Sequence, residues 1–564
     1  MLEILVSCII SSIILLTSGN LFCLYFFKQD IYKSKNFSEN SIYGIIFLSF
    51  LSLIINFFIP IGKLVGTTIL IISFVLFLNL LWKTEKKKQI ILYIFYTSVV
   101  TFALLLLANV NRPDAGLYHL PYISLINENK IILGSTNIHF RFGHISSIQY
   151  LSAIYNNYIF TTSIITVPLA SVTAIILIYL TEEFFLLFNS KKKLSFIVFL
   201  ILIFSIFSFN RYSSFGNDAP AHLYYLILII YFLKIENLKE CNLNTFLKIF
   251  IITIYLATLK LFLVIIAIIP LFIFLSFKKK KKILFNKKIF IFSILGLLWI
   301  LKNTLVSGCL LYPVQKTCFK NLIYYDAERT KETVYISEAW AKGWSDQKEI
   351  ILNYEKYNKN FNWVKTWSNK HLKKIFEKLI PFLIFTFLLI LILKYSKVST
   401  KEADQFEHVS NHRLIELFLI NLFFLIFWFL KFPIYRYGMS FIGLTIILVS
   451  FVICSDKVLL TSKKIFFSLI IIGFLSFFSK NAIRIYNNIN TEYFDYPWPK
   501  IYSLKTKDLN NEKKFLLLSN KNKPIYYYSK QELCMYSKSP CSNYLLEQLD
   551  KKQIYGYQLY WKTD

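Results

Sequence analysis

Between residues 4 and 480 the chain returns again and again to apolar runs of roughly 15 to 25 residues. Each is long enough, or nearly so, to cross a hydrocarbon core of about 30 Å. Nothing else in the sequence constrains the fold as much, because a lipid-embedded backbone must satisfy its own hydrogen bonds and does so as helices. Only 17% of the residues are charged and 56% are hydrophobic, against about 25% charged in soluble domains. A cytosolic enzyme, a secreted domain and a disordered chain are excluded. The fold class expected is an all-α polytopic membrane protein.

The spans fall near 4–27, 41–60, 64–82, 89–109, 159–188, 194–210, 219–235, 246–259, 261–277, 287–301, 377–394, 414–430, 438–454 and 465–480, about fourteen in all. The stretch from Phe246 to Phe277 would be about 48 Å long as one helix at 1.5 Å per residue, well over the bilayer core. A break at Lys260 turns it into two short passes. That break also keeps every lysine run on one side of the membrane.

Charge gives the orientation. The chain carries 63 Lys+Arg against 32 Asp+Glu, a net +31. The excess sits in short runs between spans, such as Lys86 to Lys88, Lys191 to Lys193 and Lys278 to Lys282. No separate basic domain with interleaved aromatics grips a phosphate backbone, so no nucleic-acid partner is expected. Basic loops follow the positive-inside bias and are assigned to the cytoplasm. The intervening loops 110–158, 210–218, 302–376 and 431–437, with the tail 481–564, face the exterior. Met1 to Glu3 lacks a basic start, so no cleavable signal peptide is expected. Of eight cysteines, Cys309, Cys318, Cys534 and Cys541 all fall on that exterior side as two local pairs. Disulfides persist in oxidising compartments, so the pairs Cys309/Cys318 and Cys534/Cys541 agree with the charge bias.

The exterior loops hold the unusual chemistry. Loop 110–158 is too polar to span, and 115–128 and 144–156 are expected as two amphipathic surface helices. They present Asp114, Tyr118, His119, Arg141 and His144 near the bilayer boundary, and His139 lies between them. Asp114 follows Pro113 at a helix start and suits an N-cap; a capped carboxylate is also a fixed one, available for catalysis. Asp218, in GNDAP, again opens a helix with Pro220 in the first turn. His222 shares its face four residues on, where ionisable groups near lipid are costly and usually functional.

Cations stand at the same level. Lys260 lies in the turn between two passes, Lys302 at the end of one span, and Arg436 in KFPIYRYG. Lysines elsewhere favour the opposite side, so snorkelling explains these three poorly. They suit an anion such as a phosphate, which an arginine binds bidentately. No phosphate loop, dinucleotide-binding glycine pattern or zinc-type motif competes. A divalent metal stays possible without a clear ligand set. Loop 302–376, with AWAKGW and the acids Asp326, Glu328 and Glu338, is large enough to cover a site. The tail 481–564 has strand-like runs, KFLLLS, PIYYY and QIYGYQLYW, and is expected as a small exterior α/β segment.

An acid-bearing first exterior loop, a second acid at the next exterior turn, a long later loop and a late-turn base together resemble the GT-C superfamily of integral-membrane glycosyltransferases. The strings PDAGLYHLPYI, GNDAPAH and SGCLLYP also resemble a group of bacterial multi-pass envelope proteins with GT-C features. The resemblance covers roughly residues 89–454. It implies a polyprenyl-phosphate-linked sugar as donor, a cell-envelope glycan or lipid as acceptor, and a site at the outer face of the bacterial inner membrane. It places Asp114 and Asp218 as the catalytic acids and Arg436 on the donor phosphate. Tyr118, His119, Arg141, His144, His222, Lys260 and Lys302 are then further substrate-binding candidates. Three extra spans precede the acid-bearing loop, and that loop holds one aspartate rather than a D-x-D pair, so metal use stays open. The resulting division is 1–88 as N-terminal helices, 89–480 as a GT-C-like core and 481–564 as the exterior segment. A transporter or flippase of a lipid-linked envelope precursor, or a polysaccharide polymerase or ligase, would draw on the same polar residues.

Overall fold

A computed structural model describes residues 2–33, 36–107, 114–208, 216–347, 353–395, 409–454, 463–488, 515–520, 523–529, 533–546 and 548–563. Most of loop 210–218, most of 395–413 and most of 455–464 lie outside the described residues. Four helices come first: α1 (Leu2–Phe27), α2 (Phe37–Phe58), α3 (Lys63–Lys83) and α4 (Lys87–Leu107). The first polar loop then contributes a π-helical turn, Ala115–His119, and two short helices, α5 (Leu120–Glu128) and α6 (Ser147–Ala153). The chain continues through α7 (Val167–Asn189), α8 (Leu194–Ser208), α9 (Asp218–Leu233), α10 (Leu243–Leu259), α11 (Ile268–Ser276), α12 (Lys280–Leu284) and α13 (Lys287–Ser307). A second polar loop carries α14 (Ala327–Ala341), α15 (Tyr354–Asn358) and α16 (Val364–Trp367) before α17 (Lys373–Tyr395), α18 (Asn411–Lys431), α19 (Tyr435–Cys454) and α20 (Lys463–Asn488).

Ten helical stretches among the described residues are long and apolar enough to cross a membrane, and four shorter apolar ones accompany them. The protein is a multi-pass membrane protein. Every residue of α9 from Ala219 to Leu233 is buried, as expected of a helix that is apolar all round. The outer helices instead expose large apolar side chains: Trp82 on α3 is 81% exposed and Phe290 on α13 is 68% exposed. Such a surface suits contact with lipid.

The chain doubles back at Lys260. Its backbone there is extended (φ −147°, ψ 126°), and Leu261–Ala267 forms a 3-10 turn leading into α11. The backbone N–H of Lys278 then meets the carbonyl of Lys239, just before α10, at 3.2 Å. The lysine-rich connections collect at that end of the bundle, where Lys192 lies 3.9 Å from Glu236 and Lys278 lies 3.5 Å from Glu240. The two long polar loops and the C-terminal segment collect at the other end.

That C-terminal segment is a small sheet in which β1 (Phe515–Asn520) pairs antiparallel with β2 (Lys523–Ser529) and β2 pairs parallel with β3 (Cys541–Ser542). A hairpin of β4 (Leu549–Ile554) and β5 (Tyr557–Lys562) follows. It grips the first polar loop: Leu133 N–H donates to Gln558 O at 2.9 Å, and Tyr560 N–H to Leu133 O at 3.0 Å. Disulfides join Cys309 to Cys318 and Cys534 to Cys541.

This docking changes the expected surface helices. The first spans 115–128 as anticipated, but Leu120 to Asn127 are all buried. The second, expected over 144–156, is a 3-10 turn at Phe140–His144 followed by the short, buried α6. Amphipathicity was read from the loop alone; its polar face is covered by the C-terminal chain, with Ser124 Oγ donating to Ser537 O and Tyr536 OH donating to Asn127 Oδ1 at 2.9 Å.

Candidate functional site

Asp114 opens the π turn in right-handed helical geometry (φ −57°, ψ −32°), and its side chain caps nothing. Residues five apart stack in a π turn, so Asp114 and His119 share a face. Its carboxylate turns instead to Arg436, with Oδ2 3.2 Å from Nη1. Both side chains remain 39% exposed. Burial acts to raise the Asp114 carboxyl, but the neighbouring Arg436 charge, helped by a Tyr118 hydrogen bond, holds it below its ordinary range. The group is ionised at neutral pH.

Several contacts fix Arg436 at the start of α19. Trp367 Nε1 donates to Pro433 O and Trp428 Nε1 donates to Ile434 O at 3.0 Å, shaping the turn. Gly438 lets that turn close, since a Cβ there would stand 2.4 Å from the Trp428 ring. His222 supports the Arg436 backbone from behind, its Nε2 donating to the Arg436 carbonyl at 2.7 Å. Its Nδ1 lies 2.8 Å from Ser440 Oγ. His222 is 2% exposed, and both of its ring nitrogens are engaged by these contacts.

Asp218 does not cap α9 either; Asn217 holds the cap position without a side-chain cap bond. Asp218 pairs with Lys260 Nζ. The same ammonium lies 4.0 Å from the Tyr437 ring centroid, and the Arg436 guanidinium carbon lies 5.3 Å from it. The two ion pairs thus meet at one aromatic ring. Asp114, Asp218, Lys260 and Arg436 come from four distant parts of the chain and form one cluster.

Arg141 flanks it on the other side, its guanidinium carbon 4.4 Å from the Tyr118 ring centroid. His119 is buried, with Nδ1 3.4 Å from Gln149 Nε2. Burial pushes its imidazole down to about 3, against the opposing pull of Asp114. His144 is exposed, with its ring 5.2 Å from that of Tyr312. The His119 imidazole is neutral at pH 7.

Lys302 is not with this group. It is fully buried, donates to the Ile145 carbonyl at 3.1 Å and lies 3.7 Å from the Trp299 ring centroid. Its position at a helix end suggested an outward ammonium; the rotation of α13 turns it inward to brace the first loop. Tyr437 and Ser440 were missed by sequence reasoning. Tyr437 was signalled only by its place beside Arg436; Ser440 carried no signal. No cluster of three or more His, Cys, Asp or Glu side chains suited to a metal exists among the described residues. A surface recess of about 350 Å³ lined by Glu328, Lys331, Glu332, Tyr335 and residues of α15 contains none of the cluster.

Over residues 1–443 the chain matches the family described as Domain of unknown function (DUF8201). It belongs to that family. No curated protein and no solved structure matches the chain. The DUF8201 region contains all of Asp114, Tyr118, His119, Arg141, Asp218, Lys260 and Arg436, whereas the Cys534–Cys541 segment lies beyond it.

Proposed function

We propose that this DUF8201 protein is a membrane glycosyltransferase that moves a sugar from a polyprenyl-phosphate donor to an envelope glycan or lipid acceptor. The observation that carries the reading is the Asp114–Arg436 contact at 3.2 Å, with Arg436 Nε buried and without a hydrogen-bond partner among the described residues. A carboxylate and a guanidinium held together, with donor capacity left over, suit a reaction that takes a proton at one atom and stabilises a leaving anion at the next.

In this reading Arg436 and Lys260 bind the donor phosphate, and Asp218 and the Tyr437 ring hold Lys260 in place. Asp114 accepts the proton of the acceptor hydroxyl as its oxygen bonds to the sugar's anomeric carbon. The bond from that carbon to the phosphate oxygen breaks, and the polyprenyl phosphate leaves with the electron pair, its charge met by the two cations. The exposed apolar helices let the donor's lipid tail reach the cluster from the bilayer. Disulfides at the cluster's end of the bundle and lysines at the other support an exterior, periplasmic site in the bacterial inner membrane.

The test is transfer from a radiolabelled polyprenyl-phosphate sugar in proteoliposomes. Asp114→Asn is expected to lower the rate by about a hundredfold to ten-thousandfold, the range for a lost general base, with expression and thermal melting unchanged. Full activity in that variant overturns the assignment. Labelled lipid-linked sugar crossing the bilayer with no transfer product would identify a transporter instead.

A further inference from the structure

We infer that Arg141 holds a second anionic group, a phosphate or carboxylate of the substrate separate from the phosphate assigned to Arg436 and Lys260. The inference rests on the phosphate reading of Arg436 and extends it to the substrate's chemistry.

Arg141 is a half-buried cation without a counter-ion. Its Nη1 is buried and has no hydrogen-bond partner, and no ion pair reaches it among the described residues. Other deeply placed cations have partners: Lys260 meets Asp218, Arg413 meets Glu416, Lys342 meets Glu338, and Lys302 donates to the Ile145 carbonyl. Asp114, the acid on the far side of Tyr118, is taken by Arg436.

The groups facing Arg141 cannot neutralise it. His119 and His139 stand beside it, and burial pushes both imidazoles down to about 3. The Tyr118 phenol beneath the guanidinium is raised by burial and stays un-ionised. An unpaired charge among neutral rings is costly to keep, and an incoming anion removes that cost.

The geometry leaves an entry. Arg141 lies in the 3-10 turn Phe140–His144, where residues three apart eclipse one another. Arg141 and His144 therefore share one side of the turn, and His144 is exposed. The turn is anchored below by Tyr122 OH donating to the Arg141 carbonyl and by Arg141 N–H donating to His139 Nδ1 at 3.1 Å. The turn that carries the guanidinium is thus held in place beside an exposed side chain. Two anion positions on either side of Tyr118 fit a carrier with two phosphates, or a donor phosphate beside an acidic acceptor.

Equilibrium dialysis of the full chain in nanodiscs against labelled inorganic phosphate tests the inference. Two phosphates per chain are expected for the unmodified protein, one for Arg141→Gln, one for Arg436→Gln, and two again for Arg141→Lys. The lysine variant, with size-exclusion profiles for all four, separates a lost site from a lost fold. One phosphate per chain, lost in Arg436→Gln and kept in Arg141→Gln, overturns the second site and leaves the Arg436 reading intact. One phosphate lost only in Arg141→Gln overturns the Arg436 reading and with it the pairing of two sites; no bound phosphate overturns both. Inorganic pyrophosphate then distinguishes the sources. A single pyrophosphate bound at least tenfold tighter than phosphate, and needing both arginines, indicates a diphosphate carrier, whereas no gain over phosphate indicates an acidic acceptor.

Discussion

The Arg436 guanidinium lies 3.2 Å from the Asp114 carboxylate although the two residues are 322 positions apart in the chain. Asp114 sits at the mouth of the first polar loop and Arg436 in the first turn of α19. Burial acts to raise the carboxyl, and Arg436, with Tyr118 and His119 behind it, holds it down.

A pH prediction follows from that balance. The Asp114 base form exists above its folded pKa, which Arg436 depresses. In Arg436→Ala the largest influence opposing burial is gone while the Tyr118 hydrogen bond stays, so the group rises and the acidic limb of the rate profile is expected to move to higher pH. The apparent KM for the lipid-linked donor should rise by roughly tenfold or more, the scale of one charge-assisted contact, with that for the acceptor nearly unchanged. A pH series of transfer rates at varied donor and acceptor checks both. An unmoved acidic limb would remove the coupling.

Lys260 and Asp218 are expected to behave as one unit. Lys260→Met alone strands a carboxylate and Asp218→Asn alone strands a largely buried ammonium. Each should cost about 1–3 kcal/mol, less than a fully buried pair because Asp218 is 36% exposed. The double variant should melt closer to the unmodified protein while phosphate binding stays lost. Thermal melting combined with phosphate dialysis gives the full cycle; additive losses would show that the pair is not coupled.

His222 touches the backbone of Arg436, so its loss should act through that residue. His222→Leu removes the donor to the Arg436 carbonyl and is expected to destabilise the turn by about 1–3 kcal/mol, the cost of an orphaned buried acceptor. Donor affinity should fall with acceptor affinity unchanged, and Ser440→Ala should give a smaller effect in the same direction. A loss confined to acceptor binding would place His222 elsewhere in the mechanism.

The Cys534–Cys541 loop lies directly on the Asp114 segment. Met535 N–H donates to Gly116 O at 2.8 Å, and a Cβ on Gly116 would stand 2.1 Å from Met535 Sδ. Replacing both cysteines with alanine should lower stability by roughly 2–4 kcal/mol and accelerate hydrogen exchange across residues 115–128. Residues 308–319, held by the other disulfide, should exchange as before. Mass-resolved exchange of the two peptides is the measurement, and unchanged exchange at 115–128 would show that the segment holds itself.

Much of the architecture was set by local composition. Apolar runs without compensating polar groups can only be helices in lipid, and the reversal at Lys260 was legible because 32 residues of unbroken helix would overrun the bilayer. Asp114, Asp218 and Arg436 could be singled out because charge near lipid is too costly to place there idly. Which acid meets which cation was decided only in three dimensions. Helix rotation and depth follow from packing against neighbours, and no periodicity within α13 states that Lys302 turns inward while Lys260 turns to Asp218. The burial of the first polar loop was likewise invisible, since the chain segment covering it lies some 400 residues away and a local pattern cannot register a partner that remote.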